Sequence, residues 1–169
     1  MVVNYHRQKI KLVIISNTYY NLIKDDDEIL NKPNERACLL VVKMYYRNDE
    51  YKFLIPWRSN VPTSVTKQKN LVYKLPPTTH TKKGHIACLD FRKSVIVPKN
   101  FRNAYEKFNE VDDRDNKSIL IIEKNLDKII KSFKLYLEQY VYDKNKIAFS
   151  VDLDRIINIT KDKERGNRF

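Results

Sequence analysis

The hydrophobic pattern of this chain changes period partway along, and that change limits the folds open to it. Up to Pro98 the apolar residues come in short runs of strand length, bounded by turn residues. From Asn125 onward they recur at helical spacing. Residues 9–15 (KIKLVII) read as a first strand. Ser16 is placed to cap a helix over SNTYYNLIKDDDEIL that fades near residues 31–33. Residues 36–46 (RACLLVVKMYY) and 50–57 (EYKFLIPW) read as a hairpin around the turn Arg47-Asn48-Asp49. A polar stretch over 60–70 leads to a short strand at 71–75, which Pro76-Pro77 breaks before a second polar loop, 78–84. Residues 85–90 and 93–97 read as further strands, and 118–123 (SILIIE) as one more. Beyond them Leu126, Ile129, Ile130, Phe133, Leu137 and Tyr140 form one helical stripe, with Lys128, Lys131, Lys134 and Glu138 facing away. A last amphipathic piece spans 151–159, followed by a frayed charged tail. Short antiparallel strands followed by helices predict an α+β fold: a small barrel decorated with helices, including a long amphipathic helix near the C-terminus. With no repeat or linker, residues 1–169 read as a single domain.

The chain holds only two glycines, Gly84 and Gly166, in 169 residues, which leaves no room for a glycine-rich phosphate loop or dinucleotide fold. Two cysteines, Cys38 and Cys88, sit inside apolar runs and read as buried free thiols of a reducing cytoplasm. No His/Cys/Asp cluster has metal-ligand spacing, and no serine carries the glycines of a nucleophile elbow. No metal or other cofactor is therefore expected. The N-terminal apolar run is too short to span a bilayer, so no membrane association is expected. There are 33 basic residues against 21 acidic ones, a net charge of +12. Such a surplus suits polyanionic partners, because each phosphate contact releases counterions. A lysine-rich surface without a partner gives the same number.

Within this frame YKFLIPWRSN, residues 51–60, stands out: a strand-like run ending in arginine, serine and asparagine. Arginine carries a fixed charge on a planar fork suited to phosphate. A serine hydroxyl and an asparagine amide can hold non-bridging oxygens. Arg58, Ser59 and Asn60 supply all three groups. The same residues also fit a surface ion pair followed by an ordinary turn start. Trp57 fits either a base-stacking surface or the core. His80, beside Lys82 and Lys83, fits a general base or acid as well as a solvated loop histidine. His85 is the next histidine candidate, while His6 lies in the loose N-terminus. Asp90, followed by Phe91-Arg92-Lys93, reads as a structural partner of Arg92 or Lys93.

Taken in order, SNTYY, LLVVKM, FLIPWRSN and CLDFRKSVIV resemble the toxins of type III toxin–antitoxin systems, the ToxN/AbiQ/TenpN endoribonucleases, with the TenpN-like branch closest. The likeness runs over about residues 10–97. It implies an SH3-like barrel and metal-independent cleavage of RNA to a 2′,3′-cyclic phosphate and a 5′-OH. It also implies a structured, repeat-derived antitoxin RNA that inhibits the toxin in an RNA–protein hetero-oligomer. Cellular or phage RNA would be the substrate, in phage defence or plasmid maintenance. Ser59 matches the serine of the ToxN-type Thr-Ser pair. Arg58 stands in the threonine position and Val61 in place of the nearby lysine, a role for which Arg58, Lys83 or Lys93 are candidates. Arg58, Ser59, His80 and Lys83 are thus the expected catalytic residues. Asn60, Trp57, Tyr19, Tyr20, Lys82 and Lys93 are the expected RNA contacts. The alternative is a non-catalytic module that binds single-stranded nucleic acid by charge and stacking.

Overall fold

The computed structural model of the chain describes residues 10, 12–30, 39–107, 113–143 and 147–166. The expectations for His6, Cys38 and residues 31–33 lie outside these. In order, the elements are β1 Leu12–Ile15, α1 Asn17–Ile23, β2 Leu39–Tyr46, β3 Asp49–Pro62, β4 Val72–Leu75, β5 His85–Asp90, β6 Val95–Pro98, β7 Tyr105–Lys107, α2 Asp113–Lys124, α3 Leu126–Asp143 and α4 Leu153–Gly166. The expected α+β class holds. The strands form one antiparallel sheet in the order β4-β5-β3-β2-β1-β7, with β6 pairing on β3 off that path. This sheet does not close on itself among the described residues.

The centre of the sheet is the β2–β3 hairpin. Its two-residue loop, Arg47-Asn48, has both residues in the left-handed region, at φ 48 and 67. That backbone matches the twist of paired strands, and asparagine tolerates it well. Eight pairs then run without slip, from Tyr46↔Asp49 to Leu39↔Pro56. β3 is 14 residues long and changes partners along its length. Its first half lies between β2 and β6, and its second half pairs with β5.

The helical stripe on α3 packs where its period predicts. Ile129, Phe133, Tyr136, Leu137 and Tyr140 are buried, while Lys128, Lys131, Lys134 and Glu138 are exposed. Phe133 meets Phe53 edge-on at 5.1 Å and Phe91 at 5.2 Å, joining helix to sheet through aromatic contacts. α4 packs against β6. The chain entering it is pinned by hydrogen bonds from Val151 N–H to the Arg92 carbonyl (2.8 Å) and from Asp152 N–H to the Asp26 carboxylate (2.8 Å).

Several boundaries differ from the sequence reading. Ser16 does cap α1, accepting a hydrogen bond from Tyr19 N–H, but the helix stops at Ile23. Residues 118–123 are helical rather than a strand. Ile122 and Ser118, one turn apart, are both buried within α2, and a four-residue apolar run has too little length to choose its own period. Residues 91–93 form a 3-10 turn, so β6 begins only at Val95. The 60–70 stretch holds a second such turn, Thr63–Lys67. The charged tail is helical through Gly166, carried by buried Ile156, Ile157 and Thr160 on the inner face of α4. β7, which pairs with β1, has too few apolar residues to be read from sequence. Among the described residues no helix is long and apolar enough to cross a membrane.

Candidate functional site

The triplet Arg58-Ser59-Asn60 neither ends its strand nor begins a turn. β3 continues to Pro62, and the irregularity lies inside the ladder. Between the pairs Arg58↔Cys88 and Val61↔Ile86, the two residues Ser59 and Asn60 face only Ala87. That is a β-bulge, a device that re-aims side chains and interrupts pairing next to many active sites. All three residues are half-buried.

Arg58 is held from below. Its Nη1 donates to Asp90 Oδ2 at 2.8 Å, and its side chain keeps 23% exposure while that of Asp90 has none. Arg92 grips the same carboxylate through Nε to Oδ1 (3.0 Å), Nη2 to Oδ2 (2.9 Å) and its own backbone N–H to Oδ1 (3.3 Å). Burial works against the Arg92 charge, but the hydrogen bonds and charge of Asp90 outweigh it and raise the guanidinium pKa. The remaining donors of Arg58 and the Ser59 hydroxyl meet no hydrogen-bond partner among the described residues.

Asn60 joins the bulge to the 78–84 loop, its Oδ1 accepting from Lys82 N–H at 3.2 Å. The amide nitrogen, a donor pair, meets no hydrogen-bond partner among the described residues. At the end of that loop Gly84, at φ +76, takes a backbone conformation that favours glycine. Its carbonyl accepts from both Thr63 N–H and Thr63 Oγ1 at 3.1 Å. The loop carries His80, Lys82 and Lys83, all exposed, and is thus fixed beside Asn60 at one point and beside the end of β3 at another. His85 sets its Nδ1 3.0 Å from the Lys83 carbonyl. On β4, Lys74 pairs with Cys88, which pairs with Arg58. Directly paired residues share a sheet face, so the exposed Lys74 adds a cation on the Arg58 face, roughly 10 Å away across two strand spacings.

Three expected contacts lie elsewhere. Tyr19 is fully buried, its ring against Phe101 and its hydroxyl donating to the Ile96 carbonyl, so it belongs to the core. Lys93 forms an ion pair with Glu28. Trp57, next to Arg58 in the strand, points to the opposite sheet face; it packs half-buried against the core, its Nε1 buried without a partner among the described residues. Tyr20 is half-buried on α1. Sequence reasoning treated Asp90 as a local partner of its neighbours and missed its link to Arg58, 32 residues earlier. The available signal was a carboxylate inside the apolar run HIACLD.

Bulged strand, bridging carboxylate and basic loop together define a cationic corner on an antiparallel α+β scaffold. That scaffold has a solved counterpart. A structure described as "A processed non-coding RNA regulates a bacterial antiviral system" superposes with a TM-score of 0.62 over 88% of this chain and 95% of that one, at 15% sequence identity. The two share a fold. No family model matches the sequence, and no curated protein matches it significantly.

Proposed function

We propose that this chain is a single-domain, metal-independent endoribonuclease toxin of a type III toxin–antitoxin system. It acts in the cytoplasm and is inhibited by its own structured antitoxin RNA. The observation that carries the reading is Arg58, locked by a buried carboxylate at the edge of a β-bulge with donors still open. Two features support it further: a net charge of +12, and a fold like that of a protein whose antiviral system a processed non-coding RNA regulates.

The chemistry needs few groups. The ribose 2′-oxygen gives its proton to a base and bonds to the adjacent phosphorus. The bond from phosphorus to the 5′-oxygen then breaks, and that oxygen takes a proton, leaving a 2′,3′-cyclic phosphate and a 5′-OH. Charge gathers on the non-bridging oxygens in the transition state. The open edge of Arg58, the Ser59 hydroxyl and the Asn60 amide are the donors assigned to them. His80 and Lys83, on the loop pinned to Asn60, are assigned proton transfer and phosphate contact. Lys82 and Lys74 extend the phosphate track. The RNA is a phage or cellular transcript, cut selectively, in phage defence or plasmid maintenance.

One observation favours a second reading, a module that binds single-stranded nucleic acid without cutting it. The exposed His80 ring has no partner among the described residues to orient it as a base. Purified protein incubated with total RNA in EDTA separates the two. New 5′-OH ends are expected, and they disappear in a folded Arg58→Ala protein, which also loses the ability to arrest growth. Binding without cleavage, lost steeply with salt, would establish the module instead. Unchanged growth arrest by folded Arg58→Ala would remove that residue from the mechanism.

A further inference from the structure

Asp90 has no exposed surface, yet it is a carboxylate serving two arginines. Taking such a charge out of water is costly even when it is paired. Its local task, capping the 3-10 turn at Phe91–Lys93, needs only Oδ1, which accepts the Arg92 N–H. The second oxygen does something else: Oδ2 bridges Arg58 Nη1 and Arg92 Nη2, at 2.8 and 2.9 Å.

The two arginines are not equivalent. Arg92 spends its backbone N–H, Nε and Nη2 on the carboxylate and is 12% exposed. Arg58 spends one donor and is about twice as exposed, at 23%. Two guanidiniums against one carboxylate leave one net positive charge, and Arg58, which spends fewer guanidinium donors and is the more exposed, presents more of it to solvent. A lone Arg58–Asp90 pair would be neutral and would attract a phosphate weakly. With Arg92 supplying the neutralising charge, Asp90 can fix the Arg58 guanidinium without cancelling it.

We propose that Asp90 is the positioning residue of the candidate site, holding one edge of Arg58 so that the other faces a phosphate beside Ser59 and Asn60. This rests on the endoribonuclease reading. Asp90 acts through Arg58 and touches no substrate. Arg92 keeps the cluster cationic.

Asp90→Asn tests it, because asparagine keeps the size and the turn-capping oxygen but loses the charge that orients Arg58. Two quantities are read on protein whose circular dichroism matches the wild type: the cleavage rate at saturating total RNA, and the affinity for an uncleavable 2′-O-methyl oligonucleotide. The rate is expected to fall on the order of 10²-fold, as when one preorganised donor is lost. Affinity is expected to hold or tighten, because the cluster gains positive charge. A purely structural residue would lower both together, and that result, or wild-type cleavage, overturns the proposal. Should Asp90→Asn not fold, Arg58→Lys serves. An ammonium held by Asp90 as a point charge has no second edge, so cleavage is expected to drop at least about 10-fold with affinity nearly unchanged. Wild-type cleavage by Arg58→Lys also overturns the proposal. If the wild-type protein itself cuts no RNA, the endoribonuclease reading falls and takes this one with it. If the wild type cuts and the variants cut equally well, only the positioning role is lost.

Discussion

An arginine–aspartate pair lies at each end of β3, and the two share chemistry but not setting. At the opening turn, Arg47 Nε reaches Asp154 Oδ1 at 2.7 Å, with side chains 48% and 26% exposed. Near the far end, Arg58 reaches Asp90 at 2.8 Å, with 23% and 0%. The first pair ties the hairpin turn to α4, joined by the Tyr46 hydroxyl, which donates to the same carboxylate. Water screens it, and such pairs add little. The second is shielded, shared with Arg92 and set beside a bulge. Nearly equal distances therefore carry different meanings. An exposed pair is a clamp the fold could do without. A buried, charge-unbalanced one is costly and leaves a cation with free donors, which suits a binding site better than a brace.

Stability measurements sharpen this contrast, and removing Asp90 should have the largest effect. Asp90→Ala leaves two guanidiniums without their carboxylate and is expected to lower unfolding stability by about 3–5 kcal/mol in chemical denaturation. A loss below about 1 kcal/mol would place Asp90 in the same class as the exposed pair and break the comparison.

Cys88, in register with Arg58, reports on how dry this region is. Burial pushes its thiol up from 9.0 to about 12; Asp90 adds to the shift and the two arginines oppose it without prevailing. The neutral thiol is the form the fold favours. Its contribution is therefore full below pH 9.0 and is lost as pH rises toward about 12. Burial raises Tyr19, Tyr136 and Tyr140 in the same direction. Denaturation midpoints should fall between pH 8 and pH 10.5, less steeply in Cys88→Ala. In a Cys38→Ser background, Cys88 should resist iodoacetamide at pH 8 until the protein unfolds. Rapid labelling of the native protein would show that water reaches the arginine cluster.

The smallest effect is expected at the exposed pair. Arg47→Gln should cost about 0–1 kcal/mol and leave RNA cleavage unchanged. A larger loss, or a change in cleavage, would mean that the turn and the bulge are coupled along β3.

Much of the scaffold was legible because local chemistry and period agree there. Arg47-Asn48-Asp49 announced a hairpin, and Leu126 to Tyr140 announced a helix with its inner face. Ser16 announced its cap. Short segments without a strong preference were not legible in this way. SILIIE holds too few apolar residues to distinguish a strand from a helical turn, and the charged tail became helix only because Ile156 and Ile157 found β6 and the core. For the site, sequence supplied the residue types: Arg58, Ser59 and Asn60 beside a basic loop. It placed Tyr19 and Lys93 in an RNA groove, whereas packing put Tyr19 in the core and Glu28 engaged Lys93.

The sequence by itself determined an antiparallel α+β chain of high positive charge, with a phosphate-suited triplet at the end of one strand. Periodicity, turn residues and composition are local quantities, and they suffice for that. Only the tertiary structure decided that the triplet is a bulge within a continuing strand, that Asn60 holds the 78–84 loop, and that Asp90 joins Arg58 to Arg92. Register and long-range charge pairing depend on which strands meet, and β3 meets β5 through contacts more than twenty residues apart in sequence.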